Sequence, residues 1–192
     1  MVRFLLGVII GVILVPAGVL AWFHYGQVPV AVTDAPFPYE KQVTGAALHA
    51  RIDREMVSTP PIQPNEENYV AGAQVYVDQC AACHGLRGKP SSFAAHMYPD
   101  APPLWEMHHH GSETMMGVTD DPPGETYWKV ANGIRLTGMP SFKEVLTETQ
   151  MWQVSLLLAN ADKPLPSAAI DILRGHAPQA AGAPSAPAKK GN

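Results

Sequence analysis

The stretch Cys80-Ala81-Ala82-Cys83-His84 constrains this chain more than any other. Two thiols one helical turn apart can each add to a vinyl group of a haem. A His directly after the second Cys can then offer its imidazole to the iron. The chain has only two Cys, and both lie in this motif. Placing two Cys and eight His at random in 192 residues would give the pattern about 4 times in 10,000. Two rivals share the C-x-x-C spacing. A thioredoxin-like dithiol follows a strand and opens a helix, whereas this pair closes a helical pattern. A zinc site needs a second pair of ligands at comparable spacing, and there is no further Cys. The motif points to one covalently attached haem c, held by Cys80 and Cys83, with His84 as an axial ligand of the iron.

The N-terminus agrees with this reading independently. After Arg3, residues Phe4 to Phe23 contain no charged side chain. Twenty such residues in a helix match the roughly 30 Å hydrocarbon core of a bilayer. Arg3 favours the cytoplasmic side for the start of the chain, so the bulk of it is expected to be exported. Val19-Leu20-Ala21 also resembles a signal-peptidase site, but a signal core is usually only about 7–15 residues long. An uncleaved anchor over residues 1–23 is therefore favoured over cleavage after Ala21. In a bacterium this places a single-pass chain in the cytoplasmic membrane, with its haem domain in the periplasm.

Nineteen Pro and sixteen Gly, unevenly spread, mark linker and tail. Residues 24–64 read as a stalk broken by Pro29, Pro36, Pro38, Pro60, Pro61 and Pro64. Inside it, Leu48, Ile52 and Met56 at i, i+4, i+8 predict a short amphipathic helix over 46–57, packed on the haem domain, with His49 in solvent. Residues 165–192, rich in Ala, Pro, Gly and Lys, read as a largely disordered tail after a short helical turn near 170–173.

The haem domain proper is expected over 65–164. Asn65 caps a helix whose first turn carries Glu66 and Glu67. Tyr69, Gly72, Ala73, Tyr76 and Cys80 fall on one face, and Gly72 allows another helix to come close. Residues 85–124 are irregular, which suits a loop wrapped around a large apolar cofactor. A short helix then runs through Tyr127, Trp128 and Val130 and stops at Gly133. A capping box at Thr147 and Gln150 opens a last helix, apolar nearly all round and hence buried.

With these elements in place, the chain resembles the class I c-type cytochromes over about residues 65–163. The resemblance implies an all-α fold in which a few helices wrap one covalent haem, here preceded by one transmembrane helix, with no sheet. It also implies that the C-terminal helix crosses the N-terminal one. Met139, in Gly138-Met139-Pro140, matches the family's distal iron ligand. Pro102 and Leu104 match its Pro-x-Leu element, in which the proline carbonyl accepts a hydrogen bond from the axial His. Trp152 matches an aromatic of the C-terminal helix, against which Tyr76 is expected to pack.

A thioether opposite an imidazole favours ferrous iron and raises the potential. With both axial positions filled, such a site suits one-electron transfer rather than bond-making chemistry. The expectation is an electron-transfer protein rather than an enzyme. It would be a tethered carrier between a membrane respiratory complex and an exported redox partner, or the haem-bearing subunit of a dehydrogenase, reductase or oxidase. One stretch departs from the simplest pattern: Met107-His108-His109-His110, with His96, Met97, Met115 and Met116 nearby. Thioether and imidazole suit copper or zinc, so a second metal at His108, His109 and His110, serving metal handling or sensing, is a third expectation. A net charge of -4 and the absence of a basic block exclude a nucleic-acid partner.

Overall fold

The computed structural model describes residues 1–110 and 113–176. The chain divides into two compact units, Met1–Gly45 and Ala46–Asn192. In the first, α1 (Val2–Tyr25) is one continuous helix containing Pro16. Its 24 residues span about 36 Å at 1.5 Å per residue, enough to cross a bilayer. After it, Asp34 accepts from the backbone N–H groups of Val30 and Ala31, and Phe37 lies against Trp22 with ring centroids 5.7 Å apart. Helix α2 (Glu40–Glu55) crosses the division between the units. It starts six residues earlier than the apolar spacing predicts, because Glu40 itself accepts from Phe37 N and opens the helix.

The second unit is built on α3 (Glu66–Gln79), α5 (Pro123–Asn132), α6 (Glu148–Ala159) and α7 (Ser167–Leu173), with the one-turn α4 (Ala81–His84) attached to the end of α3. The predicted caps are present. Asn65 Oδ1 accepts from Asn68 N at 2.9 Å. At the start of α6, Thr147 and Gln150 satisfy each other's backbone N–H groups. Helices α3 and α6 cross at Gly72, where a side chain would collide with the Gln153 carbonyl. Gln153 Nε2 donates to Asn68 Oδ1 at the same crossing. Tyr76, Val154, Leu157, Ala169 and Leu173 form the fully buried centre. Trp152 is also buried and stacks on Tyr127, with centroids 4.1 Å apart.

Three expectations need correction. The structure contains a small sheet where none was expected: β1 (Met107–His110) pairs antiparallel with β2 (Glu113–Met116), Met107 opposite Met116 and His108 opposite Met115. His and Met runs carry little strand signal of their own, so the pairing is visible only in the register. Helix α7 packs on α3 and buries Ala169, Ile172 and Leu173, so the ordered domain continues past residue 164. Residues 177–192, where the disordered tail was expected, lie outside the described residues. Finally, the compact unit that holds the haem motif begins at Ala46 rather than near residue 65, so the amphipathic helix expected to pack on the haem domain is part of that unit. Ile52 is fully buried, and His49, although largely exposed, reaches within 3.9 Å of Glu125.

On α5, Lys129 pairs with Glu125 at 2.7 Å and with Asp121 at 2.9 Å. Burial pulls the ammonium pKa down, but the two carboxylates outweigh it and hold it above its usual 10.5. A cation held this way stabilises the fold fully below the unfolded-state pKa, and the contribution disappears as pH rises through the folded-state value. Thermal unfolding monitored upward from pH 10.5 is expected to show a steeper loss of Tm in the native chain than in Lys129→Met.

Candidate haem site

The site is assembled where α3 ends. Cys80 closes α3 and opens α4, and its carbonyl accepts from both Cys83 N (3.1 Å) and His84 N (2.9 Å). That single turn carries both thiols and the imidazole. The Cys80 thiol is pushed up to about 12, first by burial and then by Cys83. Burial thus favours the neutral thiol at Cys80. Both cysteines are free and half-buried.

His84 is fixed by one bond. Its Nδ1 lies 2.8 Å from the Pro102 carbonyl oxygen, the pairing that the resemblance implied. A carbonyl can only accept, so Nδ1 carries the proton and Nε2 keeps its lone pair for a metal. Burial holds the imidazole below its usual 6.5, with the Pro102 carbonyl opposing in part, which favours the neutral ligand form. Leu104, two residues after Pro102, is buried in the core.

Met139 sits in a loop pinned at both ends. Gly133 caps α5 at φ +67°, and Thr137 N donates to Ile134 O (3.2 Å), forming a turn. Thr137 Oγ1 donates to Ile134 O at 2.7 Å and accepts from Met139 N at 3.1 Å. Ile134 N donates to Met139 O, and Phe142 N returns the chain to Val130 O. Ser141 Oγ closes the loop onto Ala131 O at 2.6 Å. Met139 is half-buried against the core.

Tyr76 supports the attachment turn from beneath. Its hydroxyl donates to Gly85 O, directly after His84, at 2.7 Å, and its ring meets Trp105 edge-on at 5.5 Å. Neither contact was legible in the sequence, because no local pattern links Tyr76 to Gly85, nine residues on, or to Trp105. Burial raises the Tyr76 phenol far above its usual range. Tyr76→Phe leaves a buried carbonyl unpaired and is expected to cost about 1–3 kcal/mol, read by denaturant unfolding of the haem-loaded protein.

Among the described residues, no group of three or more His, Cys, Asp or Glu side chains is placed to hold a bare metal ion. Two thiols, one oriented imidazole and one thioether instead suit a metal that brings most of its own ligands, as an iron porphyrin does. At the second metal site expected on His108, His109 and His110, the described residues bring no such group together, and the His110 side chain lies outside them. Neighbouring positions of a strand face opposite ways, so His108 and His109 diverge. His109 Nδ1 contacts Thr114 Oγ1 at 3.0 Å instead. His108 and His109 are both exposed, and His110 contributes its backbone pairing with Glu113.

Comparison with known proteins fits this geometry. Residues 67–156 match the family model described as cytochrome c oxidase, cbb3-type, subunit III. These residues form a c-type cytochrome domain, and such a domain binds haem c and transfers electrons. The helix-rich fold with one N-terminal apolar helix agrees with the class I cytochrome c architecture. Among solved structures, a chain of the reducing HAO-like protein complex of Kuenenia stuttgartiensis aligns at 19% identity and TM-score 0.40. That alignment covers 73% of this chain and 54% of the other. No curated protein matches the chain.

Proposed function

We propose that the chain is a membrane-tethered monohaem cytochrome c that passes single electrons, with one haem held covalently by Cys80 and Cys83 and ligated axially by His84 and Met139. The observation that carries this is the bond between His84 Nδ1 and Pro102 O, which fixes the tautomer and leaves Nε2 with its lone pair. When bound, the haem supplies an iron that alternates between ferrous and ferric states. The chain's own residues do the rest. Pro102 orients the imidazole, and Thr137 and Ile134 hold Met139 in its loop. The Leu104, Trp105 and Val130 side chains keep water from the core side of the site. With both axial positions taken by protein side chains the arrangement suits one-electron transfer, and the chain is read as an electron-transfer protein.

α1 would anchor the chain in the bacterial cytoplasmic membrane with the haem domain on the periplasmic side. Electrons would then pass between a membrane respiratory complex and an exported partner. The matched family description favours a second reading, in which the chain is the haem-bearing subunit of an oxidase. Native electrophoresis of solubilised membranes separates the two, since a subunit migrates with a large complex and a carrier does not.

Haem attachment itself is tested by peptide mass analysis of chain expressed with a haem-attachment system. One haem on the peptide spanning Cys80–His84, surviving acid–acetone extraction, is expected. Cys80→Ala with Cys83→Ala should lose all covalent haem. Haem that extracts freely from the native chain would overturn covalent attachment.

A further inference from the structure

We infer that residues 46–57, outside the region matching the cytochrome family, are a positioning element for Met139 that acts through α5. This rests on the reading of Met139 as the distal ligand. Residues 46–57 grip α5 at two points. Glu55 Oε2 accepts from Trp128 Nε1 at 2.9 Å, a bond that holds the Glu55 carboxyl below its usual 4.5. Arg51 lies 6.0 Å from the Trp128 ring centroid and binds Glu55 Oε1 at 3.0 Å. Trp128 is thus held at its edge and over its face, with Ile52 fully buried in the same helix. The second point is one residue into α5, where the Val57 carbonyl lies so close to Gly124 that any side chain there would strike it.

These contacts account for two choices that the cytochrome domain does not need for itself. A buried indole N–H requires a partner, and Glu55, 73 residues away, is the one it has. Gly124 stands in the first turn of α5, where the Val57 carbonyl leaves no room for a side chain.

The far end of α5 carries the Met139 loop. Val130 O and Ala131 O accept from Phe142 N and Ser141 Oγ, and Gly133 packs against Met139, Pro140 and Ser141. Trp128 joins the two ends, since its carbonyl accepts from Asn132 Nδ2 at 3.0 Å. A ten-residue helix is a rod of about 15 Å, so loosening its grip at Trp128 frees the anchor of Met139. Trp128 and Glu55 are therefore positioning residues that act through α5.

The test uses the full haem-loaded chain and reads displacement of the thioether by imidazole, followed through the ferric thioether absorption band. Trp128→Phe removes the donor and is expected to tighten imidazole binding about tenfold, equivalent to about 1.4 kcal/mol. Glu55→Gln keeps an acceptor and should stay near native. Ile172→Ala in α7 supplies the control, lowering thermal stability without changing imidazole affinity. If Trp128→Phe does not accumulate as a folded haemoprotein, Glu55→Ala, at a partly exposed position, should show the same tightening. An unchanged affinity in the variant that folds, or an equal change in Ile172→Ala, overturns the proposal. A native chain with no thioether band overturns the ligand reading itself, and the proposal falls with it.

Discussion

Met139→His is expected to lower the midpoint potential of the haem-loaded chain by a large part of the about 0.8 V over which axial ligands tune haem iron. A neutral, soft thioether stabilises ferrous iron, whereas a second imidazole stabilises the ferric state. The substitution should keep a low-spin spectrum while abolishing the ferric thioether band. Met139→Ala separates ligand identity from occupancy. With no sixth protein ligand, the ferric iron should become high-spin and bind added imidazole directly. The loop is built to tolerate both changes. Its bonds run through the Ile134, Thr137, Met139 and Phe142 backbones and the Thr137 and Ser141 hydroxyls, and none of these uses the Met139 thioether. A native-like potential in Met139→His would move the sixth ligand to another residue.

Gly72→Val is expected to be among the most damaging substitutions away from the iron. At this crossing the obstacle is the Gln153 carbonyl and the adjoining backbone of α6, not the movable end of a side chain. Overpacking a tight core costs about 1–3 kcal/mol, and backbone obstruction places this site at the upper end. For a domain near 100 residues each kcal/mol shifts Tm by about 4–8 °C, so a fall of more than 10 °C by calorimetry is expected on those figures. The same crossing positions α3, whose end carries Cys80, so the yield of attached haem should fall in parallel. Gly72→Ala should fall between native and Gly72→Val. A Gly72→Val protein with native Tm would mean that α3 and α6 do not meet as described.

What could be read from the sequence was what depends on neighbouring residues. The Asn65 cap, the Thr147–Gln150 capping box and the Gly133 stop are signals spanning a few positions, and each is present in the structure. Gly72 could be read as a close-approach position because it shares a face with Tyr69, Ala73 and Tyr76. The pairing of His84 with Pro102 needed a family resemblance, since no local rule links residues 18 apart. What stayed hidden depends on distant partners. The apolar spacing of Leu48, Ile52 and Met56 marks α2 as a helix that packs on the haem domain, but it cannot name the partners, Trp128 and Gly124. A short helical turn near 170–173 was legible, but its packing was not, since Pro164, Pro166 and the Ala/Pro-rich composition read as tail while the chain returns to bury Ile172 and Leu173. The β1–β2 hairpin was obscured by its composition, since a run of three His shows no apolar alternation to mark a strand.

The central claim is tested most directly by a spectroelectrochemical titration of the full haem-loaded chain in detergent. A single one-electron wave at clearly positive potential is predicted, with a low-spin spectrum and a ferric thioether band. A strongly negative potential, or high-spin iron in the native chain, would contradict ligation by His84 and Met139 and open the site to a different chemistry.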